Sequence, residues 1–187
     1  MAKSKKISRS KSNSSRSLKK QNTSNYNLVY MAKPIYGGWV SFTAHLSKKC
    51  DYPLYKISNK TEKKSRDYGY DVAYRNLCLE DILKLKNLFI TAVDKKYYEF
   101  LPKIKKATIV IHDPTELKEP VLEAIKRFKV ITIRETVQKL LKEKYGINST
   151  FLHHPFFEFP IPRVAKSNTR AVALSRVDFD KHTDIII

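Results

Sequence analysis

The sequence predicts an α/β fold: a Rossmann-like, mostly parallel sheet with helices on both faces. Two observations carry that expectation. Short apolar runs of four to six residues alternate along the chain with amphipathic stretches of about eight to twelve, which is the pattern of strand–helix–strand units. One of these runs, within ATIVIHDPTEL at 107–117, delivers a titratable pair, His112 and Asp113, to its end before Pro114 stops it. In open α/β sheets, ligands bind just outside the carboxyl ends of the strands.

The elements follow in order. Residues 1–25, MAKSKKISRSKSNSSRSLKKQNTSN, are rich in Ser and basic residues and almost free of apolar ones. Such a stretch buries too little surface to offset chain entropy and reads as a disordered basic tail. A strand over Asn27–Met31 opens the folded part. Gly37-Gly38 then makes a turn into a helix, WVSFTAHLSKK, with Trp39, Phe42 and Leu46 at core spacing. Residues Pro53–Ser58 alternate as a second strand, 59–67 form a charged loop, and Tyr68–Arg75 forms a third, irregular strand. A short helix over Leu79–Lys86, a buried strand over Asn87–Ala92 and a helix over Lys95–Ile104 precede the strand that ends at Ile111. Then come a helix over Glu119–Phe128 with Pro120 in its first turn, a strand over Lys129–Ile133, and a helix over Thr136–Tyr145 closed by Gly146. Thr150–His153 is a last short strand.

Residues 26–154 are therefore expected to make one domain. Residues 155–170 are Pro-rich and aromatic without helical period, an ordered linker. Residues 171–187 read as the start of a second α/β domain cut short: a strand over Ala171–Leu174, a loop, and a helix beginning at Lys181. A chain that ends there would lack autonomous catalysis.

Net charge is +19; residues 1–24 hold eight Lys/Arg and no acid, leaving +11 over the remainder. That balance implies an anionic partner, and the tail suits a nuclear-import patch, a nucleic-acid clamp or a phosphorylation target. Two cysteines are too few for a disulfide framework, which, with no apolar run of membrane-span length and no signal-peptide core, points to an intracellular location, cytoplasmic or nuclear.

The chemistry-bearing motifs are few. Gly37-Gly38 lets backbone N–H groups approach a phosphate at a helix N-terminus, but neither the G-x-G-x-x-G fingerprint nor a Walker loop is present. No metal-ligand spacing occurs, since His153 and His154 are adjacent and read as linker residues. His112 and Asp113 either face a substrate or simply open a surface turn and cap the next element. Four tyrosines between Tyr55 and Tyr74 either stack on bases or sit half-buried along strand edges.

Together these segments resemble a family. A glycine turn after the first strand, a late strand ending His112-Asp113, a strand–IRET–helix unit, a Pro-rich linker and then ALSRVDFDKH resemble nucleotide-sugar glycosyltransferases of the GT-B fold. The likeness is to the retaining group that includes glycogen and sucrose synthases, and to a phage DNA α-glucosyltransferase. It implies that residues 27–187 are the N-terminal half of a GT-B fold plus the start of its donor domain. It further implies that Arg176 and Lys181 bind the donor diphosphate, where two cations at a helix N-terminus can bracket a pyrophosphate. Gly37 and Gly38 would approach donor phosphate or acceptor, and His112 and Asp113 would position sugar and acceptor hydroxyl. The nucleotide sugar is then a substrate, with no cofactor and no metal, and DNA or a glycan suits the charge as an acceptor. In the family a Gly commonly follows the Lys; here His182 does. Two rival expectations stand beside this one: a basic, non-catalytic α/β module that binds nucleic acid through its tail and tyrosines, and an inactive truncated relic.

Overall fold

In a computed structural model of the chain, residues 26–33 and 37–158 are described. Apolar runs form the strands at the sheet's centre. β1 (Asn27–Met31) leads into α1 (Gly38–Cys50), then β2 (Leu54–Ile57), β3 (Arg66–Gly69) and β4 (Val72–Leu77). A one-turn helix α2 (Leu79–Ile82) precedes β5 (Leu88–Val93), and a 3-10 segment Lys95–Lys103 leads to β6 (Thr108–Ile111). A 3-10 turn Pro114–Glu116, α3 (Glu119–Ile125), β7 (Lys129–Thr132), α4 (Glu135–Tyr145) and β8 (Thr150–Phe151) complete the described elements. These strands form one sheet in the order β3-β4-β2-β1-β5-β6-β7-β8. All neighbours pair in parallel except β3 and β4.

Every residue of β5 and β6 is buried, as expected of parallel strands covered on both sides. Strand alternation sends the two sets of side chains into two cores. On one face Leu28, Tyr30 and Phe89 meet Val40, Phe42 and Leu46 of α1. On the other, Val29, Ile90, Ile109 and Val130 meet Leu101, Val121, Ile125 and Leu141 from the 3-10 segment, α3 and α4. The Rossmann-like expectation of helices on both faces holds for this domain. From β1 the chain first moves outward to β2 and later returns to β5 on β1's other side. The carboxyl ends of β1 and β5 therefore flank the point where strand order reverses, the position at which such sheets bind ligands.

Several expected elements differ in detail. Tyr68–Arg75 is a hairpin rather than one strand: Tyr70 and Asp71 both take φ of 56° between Gly69 and Val72. Two left-handed residues make the turn whose twist suits paired strands. The hairpin also draws Arg66 and Asp67, expected in a loop, into β3. The helix expected over Leu79–Lys86 stops at Ile82, and Asn87 turns with φ of 50° into β5. Lys95–Ile104 is 3-10 rather than α-helical, with Pro102 inside it and Leu101 fully buried; a proline removes one donor from a regular α-helical ladder. Gly146 caps α4 with φ of 67° and Pro120 occupies the first turn of α3, both as expected. Tyr55 and Tyr68 belong to the core and Tyr74 is partly buried against it. The tyrosine set therefore does not form a stacking platform, and of the four only Tyr70 is exposed, at 47%.

Among the described residues no helix is long and apolar enough to cross a membrane. The linker beyond Glu158 and the strand, loop and helix expected over 171–187 lie outside the described residues.

Candidate functional site

The carboxyl end of β6 gathers a set of interlocked polar groups. His112 follows the last strand residue directly and is 6% exposed. Its Nε2 lies 2.8 Å from the Thr91 carbonyl oxygen. A carbonyl can only accept, so Nε2 carries the proton and Nδ1 holds the ring's lone pair. Phe42 meets the imidazole edge-on at 4.9 Å, and the Trp39 ring lies at 6.4 Å. Burial pulls the pKa of His112 down to about 4, against the favourable bond to Thr91. The ring is therefore neutral at pH 7.

Behind it, α1 and β5 are joined by hydroxyls. Thr43 Oγ1 donates to the Trp39 carbonyl at 2.7 Å, so its partner Thr91 Oγ1, 2.8 Å away, must be the donor of that second bond. This pair holds the residue whose carbonyl receives the His112 ring.

Asp113 is the cap of the following 3-10 turn. Its Oδ1 accepts from Thr115 N at 3.0 Å and from Thr115 Oγ1 at 2.9 Å, and its Oδ2 accepts from Arg134 Nη1 at 2.9 Å. The Thr115 backbone bond foremost, with the nearby Arg134 guanidinium, keeps its carboxyl below the usual range. The capping role and the site position thus coexist: Asp113 bridges the end of β6 to Arg134 at the N-terminus of α4.

Glu116 closes the group. Its Oε1 accepts from Trp39 Nε1 at 2.8 Å and its Oε2 from His112 N at 3.0 Å. One carboxylate thereby ties the start of α1 to the end of β6. Burial raises its pKa to about 7, although both hydrogen bonds oppose the rise. Sequence reasoning passed over Glu116, since a carboxylate two residues after a proline looks like a solvated turn residue. Its distance from Trp39, 77 positions along the chain, leaves no local signal.

Gly37 and Gly38 lie at the same end of the sheet. Gly37 takes φ of 94° and ψ of −174°, a conformation close to glycine-only. Both glycines are exposed, and a Cβ built on either meets no atom within 4 Å. The requirement at Gly37 is therefore one of backbone angle and leaves open space beside it. Among the described residues no side chain caps the first turn of α1, and no acid lies in it, so its N–H groups present the positive end of the helix dipole.

The structure thus brings Gly37, Gly38, His112 and Asp113 to one end of the sheet and adds Trp39, Thr91, Glu116 and Arg134. Arg176 and Lys181 lie outside the described residues. Among the described residues no group of three or more His, Cys, Asp or Glu side chains could hold a metal ion. No protein-family model, curated protein or solved structure matches the chain.

Proposed function

We propose that this chain carries the acceptor-side half of a nucleotide-sugar glycosyltransferase of GT-B architecture, with the start of its donor domain. The observation that carries the reading is the gathering of Glu116, His112 and the glycine-led N-terminus of α1 beside the point of strand-order reversal. A carboxyl group titrating near neutrality and a neutral imidazole lie next to helix N–H groups. That combination suits proton removal from a hydroxyl beside a phosphate-bearing substrate.

In this reading the acceptor hydroxyl oxygen bonds to the anomeric carbon of the sugar as the bond from that carbon to the diphosphate oxygen breaks. Glu116 takes the hydroxyl proton; each of its oxygens keeps a second lone pair beyond the bonds from Trp39 and His112. His112, through Nδ1, positions the sugar or the acceptor hydroxyl. Asp113, with its own oxygens committed to Thr115 and Arg134, acts as a positioning residue. Arg176 and Lys181, by the family resemblance, stabilise charge on the departing diphosphate.

The test is release of nucleoside diphosphate from a panel of nucleotide sugars, together with binding of the same compounds to the full chain. Turnover that Glu116→Gln reduces by about a hundredfold or more, with binding retained, supports the assignment. If no compound binds or turns over, the transferase reading falls. The second reading, a non-catalytic nucleic-acid-binding module, is favoured by the net charge of +19, and it predicts that nucleotide sugars leave the protein unaffected.

A further inference from the structure

The opposite end of the sheet has a different chemistry. The residues that start β1, β5, β6 and β7 form a shallow groove whose lining includes Tyr26, Asn87, Lys106 and Lys129. A second groove shares Leu85, Leu88 and Lys106 with it and adds Lys103 and Lys105. No acidic residue lines either groove. Lys103, Lys105, Lys106 and Lys129 are all exposed. None of these four makes an ion pair within 4 Å among the described residues; each surface salt bridge there uses another cation.

The floor beneath these lysines is fixed by the backbone. Asn27 N–H donates to the Asn87 carbonyl at 3.0 Å, Asn27 Nδ2 donates to the Lys86 carbonyl at 2.6 Å, and Lys129 N–H donates to the Ala107 carbonyl at 2.9 Å. Lys86, Lys106 and Lys129 therefore rise from the starts of three consecutive strands. Neighbouring strands lie about 4.8 Å apart, and a lysine stem is long and flexible, so the ammonium groups can spread to meet phosphates along one strand of a polynucleotide. Like charges clustered along grooves that no acid lines oppose folding; a polyanion reverses that effect. The chain enters the described fold at Tyr26 on this same edge, and residues 1–24 before it carry eight Lys/Arg and no acid.

We propose that the amino-terminal edge of the sheet is a seat for the phosphate backbone of nucleic acid, remote from the candidate site at the carboxyl edge. The contacts are to phosphates and carry no sequence information. A lipid surface is the less suitable partner: of the residues that line the two grooves, Leu83, at 41%, is the one exposed large apolar side chain, which gives little to insert into a bilayer. The inference stands apart from the transferase reading, because it assigns a partner to a surface that reading does not use.

The experiment is fluorescence anisotropy of a labelled mixed-sequence DNA duplex with the full chain across a range of salt concentrations. The comparison is with the triple variant Lys105→Gln, Lys106→Gln and Lys129→Gln, checked for native circular dichroism. The parent chain is expected to bind with steep salt dependence. In the variant, the slope of log affinity against log salt should shrink by roughly 2.7, three contacts at about 0.9 each, with affinity at least about tenfold weaker at moderate salt. Lys63→Gln, in the exposed loop that follows β2 at the carboxyl edge, should leave binding nearly unchanged. Equal affinity and slope in the triple variant and the parent would overturn the proposal. So would sedimentation of the protein with phosphatidylserine vesicles under conditions in which the duplex does not bind.

Discussion

The two ends of this sheet use charge in opposite ways. At the carboxyl end the titratable side chains of the candidate site are partnered: Glu116 with Trp39 and His112, Asp113 with Thr115 and Arg134, His112 with Thr91. At the amino end the lysines line their grooves with no acid among them. The difference follows from range. Chemistry on a bound substrate needs groups held within a fraction of an ångström, which partnered and partly buried side chains supply. Attraction to a polyanion acts over a Debye length and is best served by exposed, unpaired charge. If this contrast is correct, substitutions at the carboxyl end should alter stability and its pH dependence. Substitutions at the amino end should change stability only slightly.

The largest effect is expected from His112→Ala. It removes a buried ring packed on Phe42 and leaves the Thr91 carbonyl without its donor. The loss should be about 2–4 kcal/mol in urea unfolding at pH 7. A loss below about 1 kcal/mol would mean that the imidazole is not anchored, and the interlocked picture of this end would break.

Next in size is a pH effect hidden in the parent chain. Glu116 is raised from 4.5 to about 7, so in that window the folded state keeps a proton that the unfolded chain has lost. Its contribution therefore falls as pH rises. His112 is lowered from 6.5 to about 4, so between those values the unfolded chain holds a proton that the folded state refuses. Its contribution falls as pH drops. The two windows overlap between about 4.5 and 6.5, the signs oppose, and each is worth on the order of 3 kcal/mol at full extent. Glu116→Gln removes one side of the balance. Relative to the parent, the variant should lose about 2–3 kcal/mol as pH is lowered from 7 to 4.5, read by thermal unfolding at each pH. A difference that stays constant across that range would show that Glu116 titrates as an ordinary carboxylate.

How much of this contrast was legible in the sequence depends on how local its causes are. The runs at Leu88–Val93 and Thr108–Ile111 were readable as strands, because a strand buried on both faces has to be apolar throughout. His112 and Asp113 were readable as strand-end residues because Pro114 marks the stop. The hairpin at Tyr70-Asp71 was not, since its left-handed turn is made without glycine at either central position. Glu116 escaped notice because its partners come from α1 and from the backbone of His112, and only the fold brings α1 there. The amino-end lysines at 86, 106 and 129 are just as dispersed. They converge because three parallel strands start side by side, a consequence of strand order rather than of any motif.

A smaller effect should come from Gly37→Ala. With φ of 94° and open space around it, the whole cost is conformational, about 1–2 kcal/mol. Gly38→Ala starts from an ordinary helical position with no Cβ contact within 4 Å. It should cost little or stabilise slightly, by lowering the entropy of the unfolded chain. Comparable losses for the two glycines in chemical unfolding would argue that the site's edge is held by packing instead of by one backbone angle.

The smallest change in stability is expected at the other end, and its smallness is informative. Lys106→Ala with Lys129→Ala removes two exposed side chains that make no ion pair among the described residues, so stability should move by less than about 0.5 kcal/mol. The sign is set by their neighbours. Lys105, and Lys103 beyond it in the adjoining groove, repel both groups, so the double variant should be marginally more stable than the parent at low salt. Adding salt screens that repulsion, and the two melting temperatures should then converge as ionic strength rises. A double variant that is less stable by 1 kcal/mol or more at every salt concentration would mean that the lysine stems pack against the groove and hold it together. The amino end would then be structural in the same sense as the carboxyl end, and the contrast between free and interlocked charge would be lost.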